Sequence, residues 1–287
     1  MQDNPEQPST MAAMPSPRVI SLAGRDALAF AQAQFMNDVA ALDDGRWQWS
    51  GWLTPKGRVV ALFALARVDA ETAWLVLPDA DAADLAQRLQ RFVFRSKVAV
   101  RVREDLRVAA VEAAPISAQG ARMARLDGAM EFDLGGAGAA RGWRIGDAVP
   151  VAPADALARW AIHDLTHGLP RLPASQAEHW TPQQLSLERL GAFSVKKGCY
   201  PGQEIVARTH FLGQAKRGLA LFGSGAAVQA GHEIREDGVV WGTVVSAASA
   251  DDRHLALAVG ALDRVPTQAL CGDVEVRAIP MLDGLAR

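Results

Sequence analysis

Residues 196–208 read KKGCYPGQEIVAR, and this stretch is the most informative part of the chain. It holds one of only two cysteines, two glycines and a proline, and helix-compatible residues follow at once. Pro201 suits the first position of a helix, because its missing N–H would have no partner there anyway. Glu204 then falls in the first turn, where a carboxylate complements the helix dipole. The pattern predicts a glycine-rich loop leading into a helix over residues 201–210, with Cys199 just before the helix.

Cys199 has two opposing interpretations. A thiol beside a helix N-terminus and two lysines, Lys196 and Lys197, is drawn toward the thiolate form. A lone cysteine is more often a small buried hydrophobe. The residues alone leave both interpretations open. A nucleophilic pair of Cys199 with His210 is disfavoured, because the two side chains would point from opposite ends of the helix.

The stretch resembles the signature of the YgfZ-type folate-binding proteins, which are paralogues of the aminomethyltransferase (T-protein) of the glycine cleavage system. Other segments match further motifs of the same family: Phe30-x-Gln32-x-Gln34 with Asp38-Val39, Pro55-Lys56-Gly57-Arg58, Gly168-Leu169-Pro170, Thr181-Pro182-Gln183 and Lys216-Arg217. The similarity spans about residues 18–287. One departure is Ala33, which stands where the family usually has glycine.

The resemblance implies an α+β, aminomethyltransferase-like fold with ferredoxin-like split βαβ subdomains and a C-terminal β-barrel. We therefore expect a folate-binding body over residues 18–215, made of two subdomains that meet near residue 100, and a barrel over residues 216–287. Residues 1–17 contain four prolines and no basic residue. This composition predicts a disordered tail.

The hydrophobic pattern supports this organisation. Apolar residues alternate with polar or larger ones along residues 47–53, which is typical of a strand. Residues after 217 show short β-rich stretches without helical period, which favours a small closed barrel. The predicted strands are 18–22, 47–53, 58–67, 72–77, 98–103, 107–112, 218–222, 239–247, 255–261 and 274–278. The predicted helices are 26–36, 79–92, 154–166, 182–190 and 201–210, with Asp26 and Thr181 as N-caps.

The resemblance also implies a site and a role. Cys199 is expected to be a functional thiol, and the ligand-binding residues are expected to be Lys197, Gly198, Tyr200, Gly202, Gln203, Glu204 and Arg208. The implied ligand is tetrahydrofolate, with no tightly bound metal. The implied role is that of an accessory factor for assembly or repair of iron–sulfur enzymes, including clients that thiomethylate tRNA. Its expected partners are folate and those client enzymes or assembly proteins, and its effect on tRNA modification would be indirect.

The competing enzymatic hypothesis is a folate-dependent aminomethyl transferase. The T-protein pattern places an aspartate where this chain has Val60, and a valine can neither take a proton nor stabilise a developing cation. We therefore do not expect a conventional enzyme. Direct RNA binding is a third hypothesis, and a formal net charge of −2 argues against it.

The remaining features restrict the setting and the chemistry. Two cysteines and no long apolar run indicate a cytoplasmic protein outside the membrane.

His163 and His167 have the spacing of two metal ligands on one helix face, but no third ligand follows at zinc-site spacing. Trp47, Trp49 and Trp74 are candidates to line a flat slot for a pterin. The five basic residues between Lys196 and Arg217, against one acidic residue, favour an anionic ligand nearby.

Overall fold

The computed structural model describes residues 17–150, 152–213 and 215–287. The predicted disordered tail therefore lies outside the described residues, apart from Pro17. Fifteen strands are described: β1 Arg18–Ala23, β2 Arg46–Leu53, β3 Val59–Asp69, β4 Thr72–Leu77, β5 Ala99–Val102, β6 Arg107–Val111, β7 Ala124–Leu126, β8 Ala129–Asp133, β9 Gly142–Gly146, β10 Arg217–Ser224, β11 Glu233–Glu236, β12 Val239–Ala250, β13 Arg253–Ala261, β14 Gln268–Cys271 and β15 Val274–Ile279. The helices are α1 Ala27–Gln34, α2 Ala82–Gln90, α3 Ala154–Thr166 and α4 Gln203–Leu212, with a 3₁₀ helix at Leu187–Leu190. In the described part of the chain no helix is long and apolar enough to cross a membrane.

The first sheet has the strand order β2-β3-β4-β1-β5, and every neighbouring pair is antiparallel. Strands β3, β4, β1 and β5 follow the split βαβ pattern, and β2 is an added edge strand. Helices α1 and α2 cover one face, where Phe30, Phe63 and Leu85 belong to one buried cluster. The opposite face contributes Trp47 and Trp49 to the central core. The predicted strands of this sheet are confirmed within one to two residues.

A second sheet, β6-β9-β8-β7, packs on that central core through Phe132 and Trp143. Only β6 was predicted from the sequence. The missed strands β7, β8 and β9 are three to five residues long. The central core is therefore closed by a sheet that the sequence pattern missed.

The C-terminal strands form a closed barrel in the order β10-β13-β12-β11-β14-β15. The predicted barrel is confirmed, with two additional strands, β11 and β14, of four residues each. Beyond β15 the chain leaves the barrel and returns to the central core. Leu285 is buried there, and its carbonyl accepts a hydrogen bond from Trp49 Nε1 at 2.8 Å.

One predicted helix and its N-cap are wrong, and a second N-cap is confirmed in position only. Asp26 lies at the N-cap of α1, but its carboxylate makes no capping bond and instead accepts the backbone N–H of Lys97 at 2.6 Å. Residues 182–190 form turns and one short 3₁₀ helix, because Ser186 adopts a left-handed φ of 48° that interrupts a helix. Thr181 therefore caps no α-helix, although its Oγ1 accepts the N–H of Gln184 at 3.3 Å.

Helix α2 begins later than predicted. Its N-cap is Asp81, whose Oδ1 accepts the N–H groups of Ala83 at 2.8 Å and Asp84 at 3.1 Å. Asp79 lies before the helix and accepts the N–H of Leu172 at 2.5 Å. Asp79, which was predicted to be the first residue of the helix, thus links the end of the first sheet to the segment after α3.

Candidate functional site

The signature loop packs directly on the turn between β2 and β3. Gly57 and Gly202 both have left-handed φ values, +68° and +79°. A Cβ atom on Gly202 would lie 2.7 Å from Gly57 Cα and 2.7 Å from the Thr54 carbonyl oxygen. Only glycine fits such a close approach of two backbones. The Pro55–Arg58 motif and the cysteine motif are therefore two halves of one structural unit.

Helix α4 starts later than the sequence predicted. It begins at Gln203, and Gly202 occupies the N-cap position in a left-handed conformation. Pro201 lies in the turn before the helix, so its expected place at the first helical position is wrong. Glu204 does lie in the first turn. Cys199 is consequently further from the helix N-terminus than predicted, and the effect of the helix dipole falls off within about one turn.

Lys197 is buried, and its ammonium group holds the signature loop in place. Its Nζ donates hydrogen bonds to the carbonyl oxygens of Gln32 at 2.5 Å, Phe35 at 2.5 Å and Asn37 at 3.1 Å. It also lies 4.9 Å from the ring centre of Tyr200. Burial lowers the pKa of the Lys197 ammonium to about 8. Because its donors face three protein carbonyls, Lys197 is engaged in holding the loop to the segment after α1.

Tyr200 and Gln203 also hold the loop. The buried Tyr200 hydroxyl donates to the Ser194 carbonyl at 3.3 Å, and burial raises its pKa to about 12. Gln203 Nε2 donates to the Lys197 carbonyl at 3.3 Å. Together with Gly202, these side chains fix the backbone around the cysteine.

The rest of the predicted set is exposed. Cys199 is an exposed free thiol, and a Cβ atom added at Gly198 would have no heavy atom within 4 Å. Glu204 and Arg208 are exposed on α4, and no ion pair joins these two described residues. The structure thus separates a scaffold of Lys197, Tyr200, Gly202 and Gln203 from an accessible thiol. The ligand contacts expected of all these residues remain predictions.

The candidate tryptophans lie in the core. Trp47 and Trp49 are at most 1% exposed, and the Trp47 indole N–H donates to the Gly120 carbonyl at 3.2 Å. Trp74 is partly buried against the same cluster. Trp47, Trp49 and Trp74 line neither of the two cavities described below. Trp160, which the sequence did not single out, lines one of them.

A cavity of about 460 Å³ lies beside α3, between the 137–141 loop, the β12–β13 turn and Leu282. The rings of His163 and His167 stack at its wall, with centroids 4.2 Å apart. His167 Nδ1 lies 2.9 Å from the His163 carbonyl oxygen, and its Nε2 lies 3.0 Å from the Ala137 carbonyl oxygen. Neither ring nitrogen of His163 has a hydrogen-bond partner within the described part of the chain. The described residues contain no cluster of three or more His, Cys, Asp or Glu side chains that could hold a metal.

A buried charge cluster borders this cavity. Arg141 is 2% exposed, and its guanidinium lies 4.3 Å from the Trp160 ring centre. Its Nη2 contacts Asp164 Oδ1 at 2.6 Å and its Nε donates to the Leu134 carbonyl at 3.1 Å. Arg171 Nε donates to the other Asp164 oxygen at 2.8 Å. Arg141, Asp164 and Arg171 lie outside every motif quoted above, and each is a single charged residue in its own segment of the sequence.

Burial, with Arg141 nearby, lowers the pKa of His163 to about 3. The imidazole is therefore neutral near pH 7 and offers one N–H donor and one acceptor. A second, larger and open depression of about 1150 Å³ lies at one end of the barrel. Its lining includes the exposed side chains of Arg235, Asp252 and Arg277. That mixed, exposed lining resembles an ordinary solvated surface.

Comparison with known proteins gives full-length relatives. No family model matches the chain. The chain is 29% identical to the "tRNA-modifying protein YgfZ" of Cronobacter sakazakii, over 96% of both chains. It is 27% identical to the same-named protein of Klebsiella pneumoniae, over 89% of this chain and 88% of that one. A shorter match to the Aliivibrio fischeri protein reaches 42% identity over 107 residues, 35% of this chain and 34% of the relative.

This chain is a homologue of the YgfZ family. The YgfZ homologue also resembles the solved glycine cleavage system aminomethyltransferase T from Bartonella henselae, with a TM-score of 0.67 and 16% identity. The match covers 92% of this chain and 82% of that one. At this identity the likeness establishes the fold. The predicted aminomethyltransferase-like fold and the predicted YgfZ resemblance are both confirmed.

Proposed function

We propose that this YgfZ homologue is a tetrahydrofolate-binding accessory factor that acts in tRNA modification by supporting iron–sulfur enzymes. The observation that carries the proposal is the exposed thiol of Cys199 on a loop whose neighbours are locked by Lys197, Tyr200 and Gly202. A rigid loop presents a soft sulfur ligand to a partner at little entropic cost. The full-length relatives bear the description "tRNA-modifying protein", which supports the same process for this chain.

The cavity beside α3 is the place we propose for the folate. Its volume of about 460 Å³ lies in the range of small-molecule sites. Its wall includes Trp160 and the stacked rings of His163 and His167. Arg159 and Arg253 lie at its wall as cations. When bound, a reduced folate carries one-carbon units, and the protein contributes binding and orientation.

A folate-dependent aminomethyl transferase is less well supported. Val60, at the place of the transferase aspartate, is 8% exposed and packs in the cluster beneath α1 and α2. No proton-transferring group is available at that position. An assay with aminomethyl donors separates the two functions, because only a transferase would turn them over.

The expected partners are iron–sulfur client enzymes or assembly proteins that approach the exposed loop, in the cytoplasm. Direct contact with nucleic acid is not part of the proposal, because the chain carries a net charge of −2. A salt-dependent titration with tRNA tests that exclusion.

Two measurements test the proposal. Anaerobic tetrahydrofolate at 100 times a micromolar Kd should stabilise the protein by about 2.7 kcal/mol and raise its melting temperature by several degrees. In cells that lack the native copy, Cys199→Ser should fold normally but fail to restore tRNA modification. The matched control is Cys271→Ala, which changes the other cysteine and should retain function. An unchanged melting curve at millimolar tetrahydrofolate rejects folate binding, and full complementation by Cys199→Ser rejects the functional thiol.

A further inference from the structure

The segment between α2 and β5 carries aromatic side chains that the fold does not bury. Residues 91–97 read RFVFRSK. Phe94 is 86% exposed and Phe92 is 41% exposed. A single exposed apolar residue is ordinary, whereas neighbouring exposed apolar side chains with a polar surround mark interaction sites. Because Phe94 buries so little surface, packing within the chain does not account for it.

The 91–97 segment is held in a fixed conformation at both ends. The Phe92 N–H donates to the Leu89 carbonyl at 2.9 Å, and the Phe92 ring packs edge-on against Trp52, with centroids 5.6 Å apart. At the other end, the Lys97 N–H donates to the Asp26 carboxylate at 2.6 Å, and the Asp26 N–H donates to the Lys97 carbonyl at 3.3 Å. The side chains between these anchors are therefore presented to a partner without the ordering cost of a flexible loop.

Basic side chains surround the two phenylalanines. Arg91, Arg95 and Lys97 are exposed. Among the residues that the structure describes, no ion pair engages these three side chains. Glu178, which approaches the last turn of α2, is already paired with Arg88 at 2.7 Å. The surface thus has an apolar centre and a cationic rim, which is complementary to an apolar pocket bordered by carboxylates.

The 91–97 segment is connected to the signature loop through one pair of residues. Trp52, against which Phe92 packs, forms an antiparallel bridge with Phe35. The Phe35 carbonyl in turn accepts a hydrogen bond from Lys197 Nζ at 2.5 Å, and Cys199 follows two residues later. A standard protein interface covers about 800 Å² on each partner. One protein of ordinary size can therefore contact both the 91–97 segment and the exposed thiol.

The charge distribution favours a protein over RNA or a membrane as the occupant of this surface. Three cations on a chain of net charge −2 give few phosphate contacts, and the affinity for RNA falls with salt when it rests on such contacts. Stable membrane anchoring takes a lipid chain together with a polybasic patch, or two lipid chains. Aromatic and arginine side chains are, by contrast, the residues enriched at protein interfaces.

We infer that the 91–97 segment docks a protein whose surface carries an apolar pocket bordered by carboxylates. Phe94 enters the pocket, and Arg91 and Arg95 pair with the carboxylates at its border. That this protein is also the one that meets Cys199 rests on the proposed function; the docking itself does not.

Phe94→Ser and Arg95→Glu test the surface in the full chain. Both variants should melt within about 1 °C of the wild type, because neither side chain is buried, and both should leave the alkylation rate of Cys199 unchanged. In cells that lack the native copy, each should restore tRNA modification at least fivefold less than the wild type. The matched controls are Val239→Ser, at a 70% exposed valine of the barrel, and Arg125→Glu, at an exposed arginine on β7, and both should retain function.

Photocrosslinking in the same cells identifies what contacts the segment. The photoreactive amino acid p-benzoylphenylalanine in place of Phe94 should form an adduct with a protein that mass spectrometry identifies. Arg95→Glu should reduce that adduct at least fivefold. The same photoreactive group at Lys196, beside Cys199, should crosslink the same protein, and at Val239 it should not.

The outcomes separate the docking surface from the proposed function. Full complementation by the folded Phe94→Ser and Arg95→Glu proteins overturns the inference, and it leaves the proposed function standing where Cys199→Ser fails. Adducts at position 94 with RNA or lipid alone, or no adduct, also overturn it. Loss of function in Phe94→Ser, with full complementation by Cys199→Ser, supports the docking surface and rejects the functional thiol. Different proteins crosslinked at positions 94 and 196 overturn the shared partner.

Discussion

The two cysteine side chains, Cys199 and Cys271, lie in opposite surroundings. Cys199 is exposed on the signature loop, whereas Cys271 is 2% exposed in the barrel core. Burial also raises the pKa of the Cys271 thiol, which lowers its thiolate fraction at a given pH. Cys199 is thus the cysteine that a reagent can reach, and Cys271 is the one that packs in the core.

We expect iodoacetamide at pH 8 to alkylate Cys199 at least tenfold faster than Cys271. The reagent reaches the exposed thiol directly but needs an opening of the barrel to reach the buried one. Peptide mass spectrometry over a time course measures both rates in the same sample. Equal or reversed rates would show that Cys199 is protected and would favour a structural role for it.

Lys197 gives a pH-dependent prediction. Burial lowers the pKa of its ammonium to about 8, from 10.5 for an ordinary lysine. Between these pH values the unfolded chain still binds the proton that the folded chain has released. The lysine's contribution to the free energy of unfolding therefore rises with pH across this window.

Urea unfolding at several pH values from 7 to 11 measures the effect. The stability of the wild type relative to Lys197→Met should increase as the pH passes from about 8 toward about 10.5. Lys196→Met removes the exposed neighbouring lysine and should show no such trend. A constant difference between wild type and Lys197→Met would contradict the depressed pKa.

At the scale of elements, the contact between the β2–β3 turn and the signature loop joins two distant motifs. Gly202→Ala should destabilise the protein by about 2–4 kcal/mol, because the new Cβ combines left-handed strain with overlap of the Gly57 backbone. Gly198→Ala is the matched control in the same loop. Its added Cβ meets nothing within 4 Å, so its effect should stay within about 0.5 kcal/mol. Thermal unfolding compares the two, and equal stabilities would show that the two segments are not locked together.

At the scale of the whole molecule, the Arg141–Asp164–Arg171 cluster connects several elements. Arg141 precedes β9, Asp164 lies on α3, and Arg171 donates from Nη1 to the Pro78 carbonyl at 2.9 Å and from its backbone N–H to Ser246 Oγ at 3.2 Å. Both sheets and the barrel thus meet at one buried carboxylate.

Asp164→Asn should destabilise the protein by about 3–5 kcal/mol, because it leaves two buried guanidiniums without a counter-charge. Asp155→Asn on the same helix is the control: its carboxylate is 69% exposed and pairs with Arg159 on the surface, so its loss should cost less than about 1 kcal/mol. Chemical denaturation measures the free energy of unfolding of both variants and of the wild type. A small effect of Asp164→Asn would mean that the buried charges are neutralised or hydrated in another way.

The family resemblance, the first sheet, the barrel and the loop that leads into α4 could be predicted from the sequence, because they depend on local pattern and on glycines at fixed positions. The inward orientation of Lys197 and the burial of the candidate residues Trp47 and Trp49 could not be predicted, since period and spacing do not say which neighbour a side chain meets. Helix 182–190 failed for the same reason: a left-handed Ser186 is set by the packing around it. The contacts of Arg141 with Asp164 and Trp160 depend on the packing of α3 against the segment before β9, and no local pattern in the sequence connects these two segments.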